Sequence, residues 1–89
     1  MSAREYLICV IYEEVKNFYL KYRGKKCVIG YSFKGRAIFA MHVGSFTGRQ
    51  FIAAYAFHGR EWITARLALR HIRTGVARGR GGWIIPLVN

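Results

Sequence analysis

Eighty-nine residues make one domain at most, and a chain of this length buries a smaller share of its surface than a full-sized enzyme domain does. With 53% hydrophobic residues, 16% aromatics and one proline, the composition excludes the polar, highly charged class that stays disordered. Fifteen Lys and Arg against four acids give a formal charge of +11, which attracts polyanions without specifying a fold.

In chain order, Ser2 followed by Glu5 has the capping-box spacing, and Leu7, Ile11, Val15, Phe18 and Tyr22 recur at helical intervals, predicting a helix over 3–22. The early apolar run 7–12 is short and flanked by Glu5, Glu13 and Glu14, unlike a secretory signal, and no stretch reaches the roughly 20 apolar residues of a membrane span. A cytoplasmic chain is the expectation. Gly24 stops the helix, and Cys27, Val28 and Ile29 form a short β-like run. Cys9 and Cys27 form no CxxC pair and read as buried, reduced thiols.

A second strand is predicted over 37–43 and a third over 50–57, joined by Gly44 to Gly48 as an antiparallel hairpin. A helix follows over 61–74, with Ile63, Leu67, Ile72 and the alanines toward the sheet and Arg66, Arg70 and Arg73 toward water. Residues 76–82 form a basic, glycine-rich connector, and 83–88 a last apolar strand. The order of elements predicts a single α/β domain over residues 1–89: a partial mixed sheet of about four strands with two main helices.

The sharpest chemical feature is Phe57-His58-Gly59-Arg60-Glu61-Trp62-Ile63-Thr64, where an apolar strand gives way to a His-x-x-Glu at a helix start. Imidazole nitrogen and carboxylate oxygen are both zinc ligands, and a loop between strand and helix can aim the two at one point. The spacing alone is common, since a glutamate is also favoured by the positive end of a helix dipole.

Two further stretches join it: Gly30-Tyr31-Ser32-Phe33-Lys34-Gly35-Arg36, and Pro86-Leu87-Val88-Asn89. In this order the three segments resemble the zinc metallocarboxypeptidases (carboxypeptidase A/B/T-like), which carry a Gly-x-Ser-x-Glu-Gly-Arg element, then His-Ala/Ser-Arg-Glu-Trp-Ile, then a hydrophobic strand ending in Pro-x-x-Asn-Pro-Asp-Gly. The resemblance spans most of the chain. It implies a part of the carboxypeptidase fold, with His58 and Glu61 as the first two ligands of Zn2+, Arg60 lining a substrate subsite, a peptide or protein C-terminus as substrate, and Gly35 and Arg36 shaping the turn into the second strand. Lys34 stands where the family has glutamate, Gly59 where it has Ala or Ser, and the connector 76–82 is shorter.

The family holds zinc with two histidines and one glutamate, with a second, downstream glutamate as general base and arginines on the oxyanion and the terminal carboxylate. The 89 residues stop before those groups, so the resemblance predicts a truncated, inactive domain with a weak two-ligand zinc site, or one that needs a complementary chain. In the predicted hairpin His42 lies roughly 20 Å from His58, and His71 lies roughly 15 Å along the helix from Glu61; both read as structural or surface histidines. An exposed last strand predicts self-association. The alternative reading is a small basic nucleic-acid-binding protein, using the charge and the segment Arg78-Gly79-Arg80-Gly81-Gly82. Glu61 discriminates between the two: it is the one acid after Glu14, and a zinc site requires it whereas a polyanion site does not.

Overall fold

A computed structural model describes residues 2–56, 63–74 and 80–88, without the side chains of residues 4 and 5. The chain is α/β: helix α1 Ala3–Lys21, strands β1 Lys26–Tyr31, β2 Ala37–Val43 and β3 Gln50–Ala54, helix α2 Ile63–Thr74 and strand β4 Gly81–Ile85. The strands form one mixed sheet in the order β1-β2-β4-β3, and the elements follow the sequence reading closely.

The pairing departs from it. β2 and β3 do not form a hairpin, because β4 lies between them, antiparallel to β2 and parallel to β3. The antiparallel hairpin is β1–β2, closed by a turn in which Gly35 adopts φ +78°, Gly35 N–H donates to Ser32 C=O, and Ser32 N–H donates to Arg36 C=O. This is the structural role expected of Gly35 and Arg36. Arg36 also donates from Nη2 to Cys9 Sγ at 3.1 Å, anchoring the turn to α1.

What lets β4 enter is the absence of side chains at its start. A Cβ on Gly81 would lie 1.5 Å from the Ser45 carbonyl oxygen, and one on Gly82 would lie 2.4 Å from that of Phe51. Gly81 and Gly82 are therefore buried strand residues that admit close backbone approach, and the connector ends before them. The last strand is interior, so the expected exposed edge is instead divided between β1 and β3.

Both helices pack on one face. Residues directly opposite across a ladder share a face, and Phe39, Met41, Val43 and Ile84 join Ile11 and Val15 of α1 and Ala65, Ala68, Leu69 and Ile72 of α2 in one cluster. The buried stripe of α2 runs i, i+3, i+4, i+7. Ile63 (61% exposed) and Leu67 (46%) lie off it, contrary to expectation. The reason is geometric: Ile63 is nine residues from Ile72, about 2.5 turns at 3.6 residues per turn, and so points the opposite way. Leu7 is also exposed. Of the two thiols, Cys9 is half-buried and Cys27 is exposed; both are free, but neither is buried.

Across the helix pair, Arg66 donates to both carboxylate oxygens of Glu14, at 2.8 and 2.9 Å. Behind α1, Tyr22 OH donates to the His42 carbonyl, and Lys26 Nζ donates to the Tyr19 carbonyl while lying over its ring. No helix among the described residues is long and apolar enough to cross a membrane.

The faces differ enough to be tested by substitution. Met41 is fully buried against the helices, so Met41→Ala is expected to lower the unfolding free energy by about 2–5 kcal/mol. Ile52 on the other face is 75% exposed, so Ile52→Ser should change it by no more than about 0.5 kcal/mol. Urea denaturation of the two variants checks this, and equal losses would mean that the core is assigned to the wrong face.

Candidate metal centre

The proposed ligands His58 and Glu61, with Arg60 between them, lie outside the described residues; the structure defines what stands on either side of them. Upstream, β3 ends at Ala54, and Tyr55 continues the pairing with β4: its N–H donates to the Ile85 carbonyl at 3.0 Å, and its carbonyl accepts from Val88 N–H at 3.2 Å. Ala56 then takes a left-handed conformation, φ 56°, while 2% exposed. That conformation strains a residue with a Cβ by on the order of 1 kcal/mol and turns the chain out of the strand direction.

Downstream, α2 begins at Ile63. Ala56 N–H donates to Thr64 Oγ1 at 3.0 Å, so the end of β3 and the first turn of α2 are tied directly together across the residues that separate them. The tie also satisfies a buried backbone donor that the strained turn would otherwise leave without a partner.

Strand direction brings the other two segments of the resemblance to the same end of the sheet. β3 and β4 are parallel, so Pro86, Leu87 and Val88 leave β4 where Tyr55 and Ala56 leave β3. β2 runs antiparallel to β4, so the β1–β2 turn lies there too, and Ser32 and Arg36 line a shallow groove with Tyr12, Leu87 and Val88. Three segments distant in sequence thus gather at the carboxyl ends of β3 and β4.

The remaining histidines are engaged elsewhere. His71, in the third turn of α2, is half-buried, with Nδ1 2.9 Å from Tyr55 OH. His42 is 4% exposed: its Nε2 lies 2.8 Å from Gln50 Oε1, Phe46 stacks on its ring at 4.0 Å, and Trp83 meets its edge. The β2–β3 hairpin from which the separation of His42 was reckoned does not form. His42 is in register with Trp83 and Ile52, and Ile52 precedes Ala56 by four residues, roughly 13 Å of extended chain.

Among the described residues no group of three or more His, Cys, Asp or Glu is arranged to hold a metal. The acids outside the His58–Glu61 segment are Glu5, Glu13 and Glu14, all in α1. Glu14, the one tied to the first turn of α2, has both oxygens taken by Arg66. Sequence reasoning missed the frame residues Ala56, Thr64 and Tyr55, whose roles depend on tertiary contacts. The signal present for Thr64 was a hydroxyl in the first turn of a helix, where such groups commonly bind backbone N–H. No protein-family model matches the sequence, and no curated protein matches it.

Thr64→Val keeps the shape of the side chain and removes the acceptor. It should destabilise the fold by about 1–3 kcal/mol, the penalty for an unsatisfied buried donor, and speed hydrogen exchange at the Ala56 amide. Unchanged exchange at that amide would show that the tie contributes nothing.

Proposed function

We propose that this chain is built on the catalytic domain of the zinc metallocarboxypeptidases, enzymes that hydrolyse a C-terminal peptide bond, and that His58 and Glu61 are two ligands of its zinc ion. The observation that supports this reading most is the convergence at one end of the sheet: the residues flanking the His-x-x-Glu segment, the β1–β2 turn and the exit of β4 lie side by side. The resemblance rests on the same turn, on the same strand exit and on the segment that those residues flank. In open α/β sheets, ligands bind beyond the carboxyl ends of the strands, and β3–α2–β4 has that geometry, with its two strands parallel. A buried residue strained into the left-handed region directly before the motif belongs to the same argument, because such strain persists where the surroundings impose it and clusters at functional sites.

His58 and Glu61 have the donor chemistry for zinc: a neutral imidazole nitrogen and a carboxylate oxygen. When bound, the ion would polarise a peptide carbonyl and make a coordinated water more acidic. Arg60, a fixed cation between the ligands in sequence, is assigned to bind the substrate, whose terminal carboxylate an arginine can hold through two parallel hydrogen bonds. The chain's own residues supply no general base: the only other acids are in α1, and the one the structure brings to α2 is paired with Arg66. The 89 residues are therefore assigned metal binding and substrate contact, and hydrolysis is not expected from them alone.

Calorimetric titration with Zn2+ at neutral pH tests this reading, with the same samples assayed for release of a C-terminal residue from a peptide. Zinc is expected to bind, and His58→Ala or Glu61→Ala to weaken it by about tenfold or more, roughly 1.4 kcal/mol each. Affinity should fall as pH is lowered, because protons compete for the imidazole. Binding that survives both substitutions, or no binding to the unmodified chain, would overturn the assignment.

A further inference from the structure

The face of the sheet turned away from the helices has aromatic rings at its centre. Ladder register places His42, Trp83 and Ile52 side by side on it, from β2, β4 and β3, and the core cluster includes none of them. One residue before β1, Lys25 extends the same row: its carbonyl accepts from His42 N–H at 2.8 Å, so it stands opposite His42 and shares its face. The row Lys25, His42, Trp83, Ile52 crosses the whole sheet, roughly 14 Å at about 4.8 Å between neighbouring strands. Lys25 is exposed, and Ile52 at the other end is 75% exposed. Alternation turns Arg49 and Arg80 to the helix side, which leaves Lys25 as the cation of the row.

A third ring is held over this row by the loop between β2 and β3. Phe46 stacks on the imidazole of His42 with centroids 4.0 Å apart and planes within 8°, and Trp83 meets the imidazole edge-on at 5.2 Å. Gln50 fixes both the histidine and the loop: its Oε1 lies 2.8 Å from His42 Nε2, and its Nε2 donates to the carbonyls of Ser45 and Thr47 on either side of Phe46. His42 is thereby 4% exposed while Phe46 remains 63% exposed. One π-face of the phenylalanine is taken by the histidine, and the other is turned away from it. A ring already fixed in this way loses little freedom when a second planar group stacks on it.

Charge and ring chemistry select the occupant. The four acids are Glu5, Glu13, Glu14 and Glu61, so neither the strands nor the loop 44–49 carries one, and the chain as a whole is +11. A second copy would bring a like charge. A duplex keeps its bases stacked on one another, and a lipid surface presents phosphates without planar rings. A single strand offers a π-face on every base with a phosphate beside it, and aromatic side chains on one face of a four-stranded sheet are a general way of binding single-stranded RNA. We propose that this face binds single-stranded nucleic acid, with a base stacked on the free side of Phe46 beside Trp83 and the phosphate backbone passing Lys25. The proposal is independent of the zinc assignment and uses none of its residues.

The test is binding of the full 89-residue chain to a fluorescein-labelled oligouridylate, followed by anisotropy, with unlabelled oligouridylate, its duplex with oligoadenylate, polyphosphate and phosphatidylserine vesicles as competitors. Phe46→Leu keeps an apolar lid on His42 but removes the π-face, and should weaken binding about tenfold. Phe46→Tyr restores the ring and should restore the affinity. Lys25→Ala should weaken binding and flatten its dependence on salt, whereas Arg70→Ala, which removes the same charge from an exposed position on α2, should change affinity by no more than about twofold. Absence of binding would overturn the proposal, and so would equal losses from Lys25→Ala and Arg70→Ala with none from Phe46→Leu, which would reduce the interaction to net charge. Competition by polyphosphate or the duplex as strong as that by unlabelled oligouridylate would overturn it too. Vesicles that compete equally well would make a lipid surface the occupant instead.

Discussion

The insertion of β4 between β2 and β3 is the constraint from which the rest of the structure follows. It requires a strand that begins without side chains, because the Ser45 and Phe51 carbonyls lie where Cβ atoms would be. It gives β3 a parallel neighbour and makes α2 the crossover between them. From that one pairing come the location of the core, the common exit of β3 and β4, and the side-by-side placement of Tyr55 and Val88. A substitution at Gly81 would therefore disturb both the sheet and the frame around the His-x-x-Glu segment.

Much of this was legible from residue order. Helical spacing marked α1, the strand ending at Val43 was read with its observed limits, and the four-strand mixed sheet with two helices followed from the alternation of elements. Strand pairing was not legible in the same way. The turn residues Gly44 to Gly48 suit a hairpin, and nothing local signals that a strand from 81 onward will separate β2 from β3; pairing is a non-local choice. The glycines at 81 and 82 held the clue, but glycine serves a flexible connector and a tight backbone contact equally well. The face of α2 was readable and misread: the 3.6-residue repeat from Ile72 leads to Leu69, Ala68 and Ala65, and not to Leu67 or Ile63.

The candidate site divides along the same line. Its ligand chemistry, His58 and Glu61 at a strand-to-helix junction, is a local property that a sequence displays. Its frame is tertiary: the left-handed Ala56, the Thr64 hydroxyl that ties the two flanks, and the β4 exit that pairs with Tyr55. Part of the Arg-Gly segment is also tertiary in its role. Gly81 and Gly82 are buried in the sheet, and Arg80, which precedes them, is exposed.

The central claim is that His58, and neither of the other two histidines, binds zinc. Its most direct measurement is a two-dimensional NMR spectrum correlating imidazole nitrogens with ring protons, recorded as Zn2+ is added. The account predicts that the His58 ring shifts on titration while His42, held by Gln50 and Phe46, and His71, held by Tyr55, keep their positions. A shift confined to His42 or His71, or no shift at His58, would contradict it.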